Sequence, residues 1–299
     1  MSSLTISGSV GKKGENLSKN IKTVQALINV YLRSQAKNPL PVSGINDPAL
    51  EQAISLFQTK HLKLPKPDSK VDPNGKTLKT LLSVLNGVFK PQAIIAPKYG
   101  IITWSAEGTE GGFYHSRKLH IPSPTSGLTL GRGYDFRRKS PATITKNLSA
   151  VGMNMVTTMV LKNASGLFGK TAQQFIIDND LLDFQITPEI QKKLFKISYD
   201  DEAAEVQRIC AKNDVVKLYG ATDWGILNKT IKDIVVDLKF RGDYTPSSRR
   251  FLQKSIADND LTEFKKHILN KDNWKNVPPG RFDRRIKHMN EAQASTAKP

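Results

Sequence analysis

A single cysteine in 299 residues, Cys210, rules out an internal disulfide and leaves the final compartment open. No apolar run approaches the ~20 residues that a membrane-spanning helix needs. The opening MSSLTISGSVGKKGEN lacks the apolar stretch of a secretory leader, so synthesis in the cytoplasm without a signal peptide is the expectation. Histidine is scarce: His61, His115, His120, His267 and His288 form neither HExxH nor a comparable ligand spacing, which argues against zinc. A serine nucleophile would want a G-x-S-x-G elbow, and none is present. Residues 127–133, GLTLGRG, are neither GxGxxG nor a P-loop, so nucleotide binding has little support. Cys210 stands at helical spacing from Val206 in AEVQRICAKN and reads as core rather than nucleophile. No metal and no cofactor is therefore expected.

Acid is the other shortage. Against 27 Asp and Glu stand 45 Lys and Arg, a net charge of +18. Residues 1–98 and 99–299 each carry +9, so the basicity is not one tail. An anionic polymer is the natural partner, and nucleic acid, acidic lipid and bacterial wall all qualify on charge alone. With 38% hydrophobic residues the chain is globular, and its length suits two domains.

In the N-terminal third, Ile21, Val24, Leu27, Ile28, Tyr31 and Leu32 recur at helical spacing, and Pro39 and Pro41 close that helix. Asp47 and Pro48 form a helix start before Leu50, Ala53, Ile54 and Phe57. The turn VDPNG at 71–75 leads to Leu78, Leu81, Leu82 and Leu85, a third helix stopped by Gly87. VQALIN (24–29), SGI (43–45), AISLFQ (53–58) and VDPNGKTLKTLL (71–82) resemble the small three-helix peptidoglycan-binding domain found beside many bacterial wall hydrolases. The sequence departs from that family at NDP (46–48), where the family has Gly and Thr.

Residues 89–99, FKPQAIIAPKY, read as a linker. Beyond them the apolar spacing predicts helices over 141–148, 151–162, 171–179, 188–213, 224–239, 246–257, 261–269 and 281–290, with Thr187 and Asp223 as N-caps. Short strand-like pieces stand around Tyr114 and Leu128.

The chemistry concentrates in residues 104–136, WSAEGTEGGFYHSRKLHIPSPTSGLTLGRGYDF, where acids lie among glycines that let backbone approach a ligand. Hydrolysis of a glycosidic bond needs one carboxyl group held protonated and one kept ionised. Glu107, after Trp104, Ser105 and Ala106, suits the first role if its surroundings are apolar; Asp135, near Arg132, suits the second, with Thr129 close enough to help hold a water. Acids in a loop are also ordinary solvated surface, and both readings stand at this level.

AEGTEGG, YHSRKLHIP and SGLTLGRGYD together resemble the active-site segment of the pesticin-like branch of phage-type lysozymes, and WKNVPPGRFDRRI (274–286) resembles their closing segment. The resemblance implies Glu107 as general acid, Asp135 as the base that prepares water, and Thr129 as its positioning partner. Glu110 becomes the acid if the match slips by three residues. Tyr114, Arg117, His120, Arg132 and Tyr134 are candidates to line a sugar groove, with Arg117 or Arg132 equally able to hold a buried carboxylate.

The expected fold is mainly α: an N-terminal three-helix bundle (1–88), a linker (89–98), a lysozyme-like α+β domain with a small β-sheet beside the active site (99–292), and a flexible tail (293–299). The expected function is muramidase action on peptidoglycan, by a monomer that binds no nucleic acid. Delivery by a type VI secretion machine, with a cognate immunity protein, or release as a phage endolysin would bring it to the wall. A lytic transglycosylase and a non-catalytic wall-binding protein are the rival readings.

Overall fold

The computed structural model describes residues 4–296. The chain is mainly helical with two small antiparallel sheets. In order, β1 (Val10–Gly11), α1 (Ser18–Ser34), α2 (Pro48–Lys60), β2 (Lys70–Val71) and α3 (Lys76–Gly87) precede α4 (Ile101–Ala106). The strands β3 (Leu119–His120), β4 (Thr129–Leu130) and β5 (Tyr134–Asp135) come next, then α5 (Pro141–Ala150), α6 (Met155–Leu161), α7 (Gly169–Asp178) and α8 (Pro188–Cys210). The remainder is α9 (Asn213–Tyr219), α10 (Lys229–Arg241), α11 (Pro246–Ala257), α12 (Leu261–Leu269) and α13 (Pro279–Thr296). No helix among the described residues is long and apolar enough to cross a membrane.

The chain forms two compact units, each assembled from separate stretches. Residues 1–94 and 108–194 make the first; residues 95–107 and 195–299 make the second. This grouping cuts the chain differently from the sequence division at the linker.

Within the first unit, α1, α2 and α3 share one core in which Val24, Leu27, Leu50, Ile54, Phe57 and Leu81 are buried. The Asp47 side chain caps α2 by accepting from the Leu50 amide at 2.8 Å, with Pro48 at the first helical position, as the sequence suggests. Val10 pairs with Val71 to close a two-stranded ribbon beside these helices. Phe89, read from sequence as the start of a linker, is buried in the same core. Arg33 of α1 reaches Asp180 at 2.6 Å and Asp183 at 2.7 Å, and Lys22 meets Asp178 at 3.0 Å, so the first three helices are pinned to the stretch around α7.

The second unit gathers α4 and the C-terminal helices around Val206, Leu227, Ile231, Ile234, Leu252, Phe264 and Trp274. Cys210 is buried there, in contact with the Tyr244 hydroxyl and the Gln253 amide. Several sequence expectations shift, among them the helix expected over 188–213, which ends at Cys210 before a separate α9. The helix expected over 224–239 begins at Lys229, because Asn228 caps it and the Asp223 carboxylate is spent on the Gly225 amide in a turn. The helix expected over 151–162 starts only at Met155, after Gly152 takes φ +87° and Asn154 supplies the cap. The tail expected from residue 293 continues α13 as far as Thr296, and residues 297–299 lie outside the described residues.

Candidate active site

Within the first unit, the SGLTLGRGYD motif folds as the β4–β5 hairpin. Gly131 and Gly133 both take positive φ, at +65° and +89°, which lets three residues reverse the chain. The register then decides what stands beside what. Thr129 pairs with Asp135 and, on its other side, with His120 of β3; Leu130 likewise pairs with Tyr134 and Leu119. Residues directly opposite in antiparallel strands share a face. The sheet therefore carries one polar row, His120–Thr129–Asp135, and one apolar row, Leu119–Leu130–Tyr134, that is fully buried.

Asp135 is half-buried and accepts from the Arg137 amide at 2.8 Å through Oδ1. Gly127 lies flush against it: a Cβ at 127 would sit 2.2 Å from Asp135 Oδ1 and 2.4 Å from Arg137 Cβ. Only glycine allows the backbone that close to the carboxylate. The Thr129 hydroxyl donates a long 3.4 Å bond to the Gly127 carbonyl. His120 donates Nδ1–H to the Lys118 carbonyl at 3.0 Å, and burial lowers its pKa, so it enters the row as a neutral imidazole at pH 7.

The remaining candidates divide. Tyr114 is largely exposed. Arg117 corrects the groove reading: it is buried, with Nε on Glu110 at 2.8 Å, Nη1 on the Ile186 carbonyl at 2.8 Å and Nη2 on the Lys90 carbonyl at 3.1 Å. Its fork is fully used in holding the loop, the buried-carboxylate role that the sequence allowed. Tyr134 is likewise buried, its hydroxyl accepting from Asn147 at 3.2 Å, because it falls on the apolar row. Arg132, also buried, donates to the Gly108 carbonyl at 2.7 Å and so ties the GRG turn to the residue that follows Glu107.

Glu110 is a nearly buried carboxylate bound by Arg117 and by Gln191 Nε2 at 3.1 Å. His115 stands 3.6 Å away but is not its ion-pair partner: His115 Nδ1 accepts from the Gly111 amide at 2.8 Å, leaving the proton on Nε2, which faces Gln185. Burial foremost, and Arg117 next, lower the His115 pKa and keep the ring neutral. Glu110 thus serves as the hub of a loop-fixing network.

Within the second unit, Glu107 follows the last residue of α4, and its amide closes the helix on the Thr103 carbonyl at 3.0 Å. Its surroundings are not the apolar ones the sequence suggests. Arg281 Nη1 donates to Glu107 Oε1, and the same guanidinium holds buried Asp237 through Nη2 at 2.6 Å. Arg285 adds a bond to Asp237 at 2.7 Å and another to Asp243 at 2.8 Å. Sequence reading missed Arg281, Arg285 and Asp237 as site residues. The signal was present: two arginines four apart in GRFDRRI fall on one helical face. Among the described residues no cluster of His, Cys, Asp or Glu could hold a metal ion.

The sequence profile of a family described as "Domain of unknown function (DUF8812)" matches residues 100–286, from the residue before α4 to just beyond Arg285. The chain belongs to that family. The DUF8812 stretch contains Glu107, the polar row and the Arg281–Asp237–Arg285 cluster, while α1, α2 and α3 precede it. Comparison with curated proteins gives no match.

Proposed function

We propose that this DUF8812 chain is a bacteriolytic muramidase that hydrolyses the β-1,4 bond between N-acetylmuramic acid and N-acetylglucosamine in peptidoglycan. The observation that carries the reading is the direct cross-strand pairing of Thr129 with Asp135, with Gly127 backbone against the carboxylate. A hydroxyl beside a half-buried carboxylate is what is needed to hold and deprotonate one water. Glu107, at the end of a short helix, is the general acid in this proposal. It must take up a proton while Arg281 contacts it, and Arg281 is shared with Asp237, whose negative charge offsets part of the guanidinium's field at Glu107.

In the finer fold that goes with this proposal, residues 1–88 are a wall-binding three-helix bundle and residues 99–292 a lysozyme-like α+β domain. A net charge of +18 would concentrate the enzyme at an anionic envelope. The substrate lies outside the cytoplasm, so the proposal includes delivery into a target cell, by a type VI machine or by phage lysis, and an immunity protein in any cell that makes the toxin.

The test is release of reducing ends from purified sacculi. Wild-type chain should release them, Glu107→Gln should not, and mass spectrometry should find no anhydro-sugar ends. Full lysis by Glu107→Gln would overturn the assignment; anhydro ends would mark a transglycosylase.

A further inference from the structure

A second feature of the first unit has nothing to do with the polar row. A cavity of about 660 Å³ lies between α3 and α7, lined by Leu82, Leu85, Phe89, Phe113, Lys118 and Ile121 among others. That volume falls within the range of sites for small organic ligands. Its walls are mostly hydrocarbon, and one of its few polar groups is the ammonium of Lys118. This lysine is only 5% exposed. Its Nζ stands 4.7 Å from the centre of the Phe89 ring and 5.2 Å from that of Phe113, two of the cavity's own walls.

Among the described residues, no carboxylate lies within ion-pair distance of Lys118, and no acidic residue lines the cavity. Aromatic faces compensate a buried ammonium only in part. A buried charge without an ionic partner is normally neutralised or paired, and here the residue that carries it lines the cavity.

We propose that this cavity binds a fatty acid, with its carboxylate on Lys118 and its chain along the apolar walls between α3 and α7. A carboxylate fits better than a phosphate, because Lys118 is the one buried lysine among the lining residues and no arginine fork lines the space. Lys170 at the exposed start of α7 also lines the cavity, which favours an anionic ligand on the way in. The inference is independent of the glycosidase reading and stands if that reading fails.

The experiment uses the full chain and dodecanoate below its micelle-forming concentration, with dodecanol as the neutral control of equal chain length, read by calorimetry. Dodecanoate should bind at least tenfold more tightly than dodecanol. Lys118→Met should remove that difference while leaving dodecanol affinity unchanged, with circular dichroism confirming the fold. Burial pushes the empty-cavity Lys118 amine down to about 8. Dodecanoate affinity should therefore fall as the pH rises above 8, and dodecanol affinity should not. Equal affinity for the two ligands, or dodecanoate binding that ignores Lys118→Met or the rise in pH, would overturn the proposal. So would the absence of dodecanoate binding to folded wild-type chain.

Discussion

Thr129 and Asp135, six residues apart in sequence, are direct partners across β4 and β5, with the Gly127 backbone closing on the same carboxylate. If this trio handles the attacking water, substitutions should separate by role. Asp135→Asn should lower turnover on sacculi by about 10²-fold or more, and Thr129→Ala by about tenfold. Gly127→Ala should behave like Asp135→Asn, because its methyl group has no room beside Oδ1. Steady-state kinetics would check this, and an unimpaired Gly127→Ala would show that the close approach is dispensable.

Glu107 and Glu110 should fail in different ways. Glu110→Gln leaves buried Arg117 without its charge partner, and a loss of ~2–4 kcal/mol in urea unfolding is expected. Glu107→Gln should cost little stability, since Arg281 keeps Asp237, and should abolish turnover. The reverse pattern would exchange the two roles.

Arg33 makes a forked contact with two aspartates on the stretch that follows α7. The pair is partly exposed, which limits its worth. Arg33→Met should cost ~1–2 kcal/mol, with the difference from wild type shrinking at 1 M salt. Denaturant midpoints at two ionic strengths measure it.

Stability should rise with pH in an alkaline window. Lys118 has its pKa lowered to about 8 by burial, whereas the unfolded chain holds that proton to ~10.4. Below pH 8 both states are protonated, so the burial cost is fully present and flat. Between pH 8 and ~10.4 only the unfolded state stays protonated, and the folded state gains ground as pH rises. Lys118→Met should be more stable than wild type at pH 7, by on the order of 1–3 kcal/mol, with the gap closing over that window. His115 gives the same sign on the acid side: stability should fall as pH drops below ~6.5, when the unfolded chain takes up a proton that the buried ring resists. Thermal melts from pH 5 to 10.5 would trace both.

The helices were legible where apolar spacing and caps agree, as at Asp47–Pro48 before α2. The Thr129–Asp135 pairing was legible through its glycine-framed motif. Phe89 was not, because two following prolines disguise a core residue as a linker, and its burial depends on partners far away in sequence. Arg117 and Tyr134 look like groove residues by type; which side of a two-residue strand faces inward, or where an arginine's fork is consumed, depends on register and on distant carbonyls. The Arg281–Glu107 contact joins residues 174 positions apart, and no local pattern announces it.

The second unit is discontinuous, since residues 95–107 belong with residues 195–299. On a ribosome, α4 therefore emerges long before α10, the helix it packs against. At ordinary synthesis rates that interval is about 10 s. The first unit can be complete while Trp104 and its neighbours still lack their partners from α10, so this apolar stretch must wait for its core during translation.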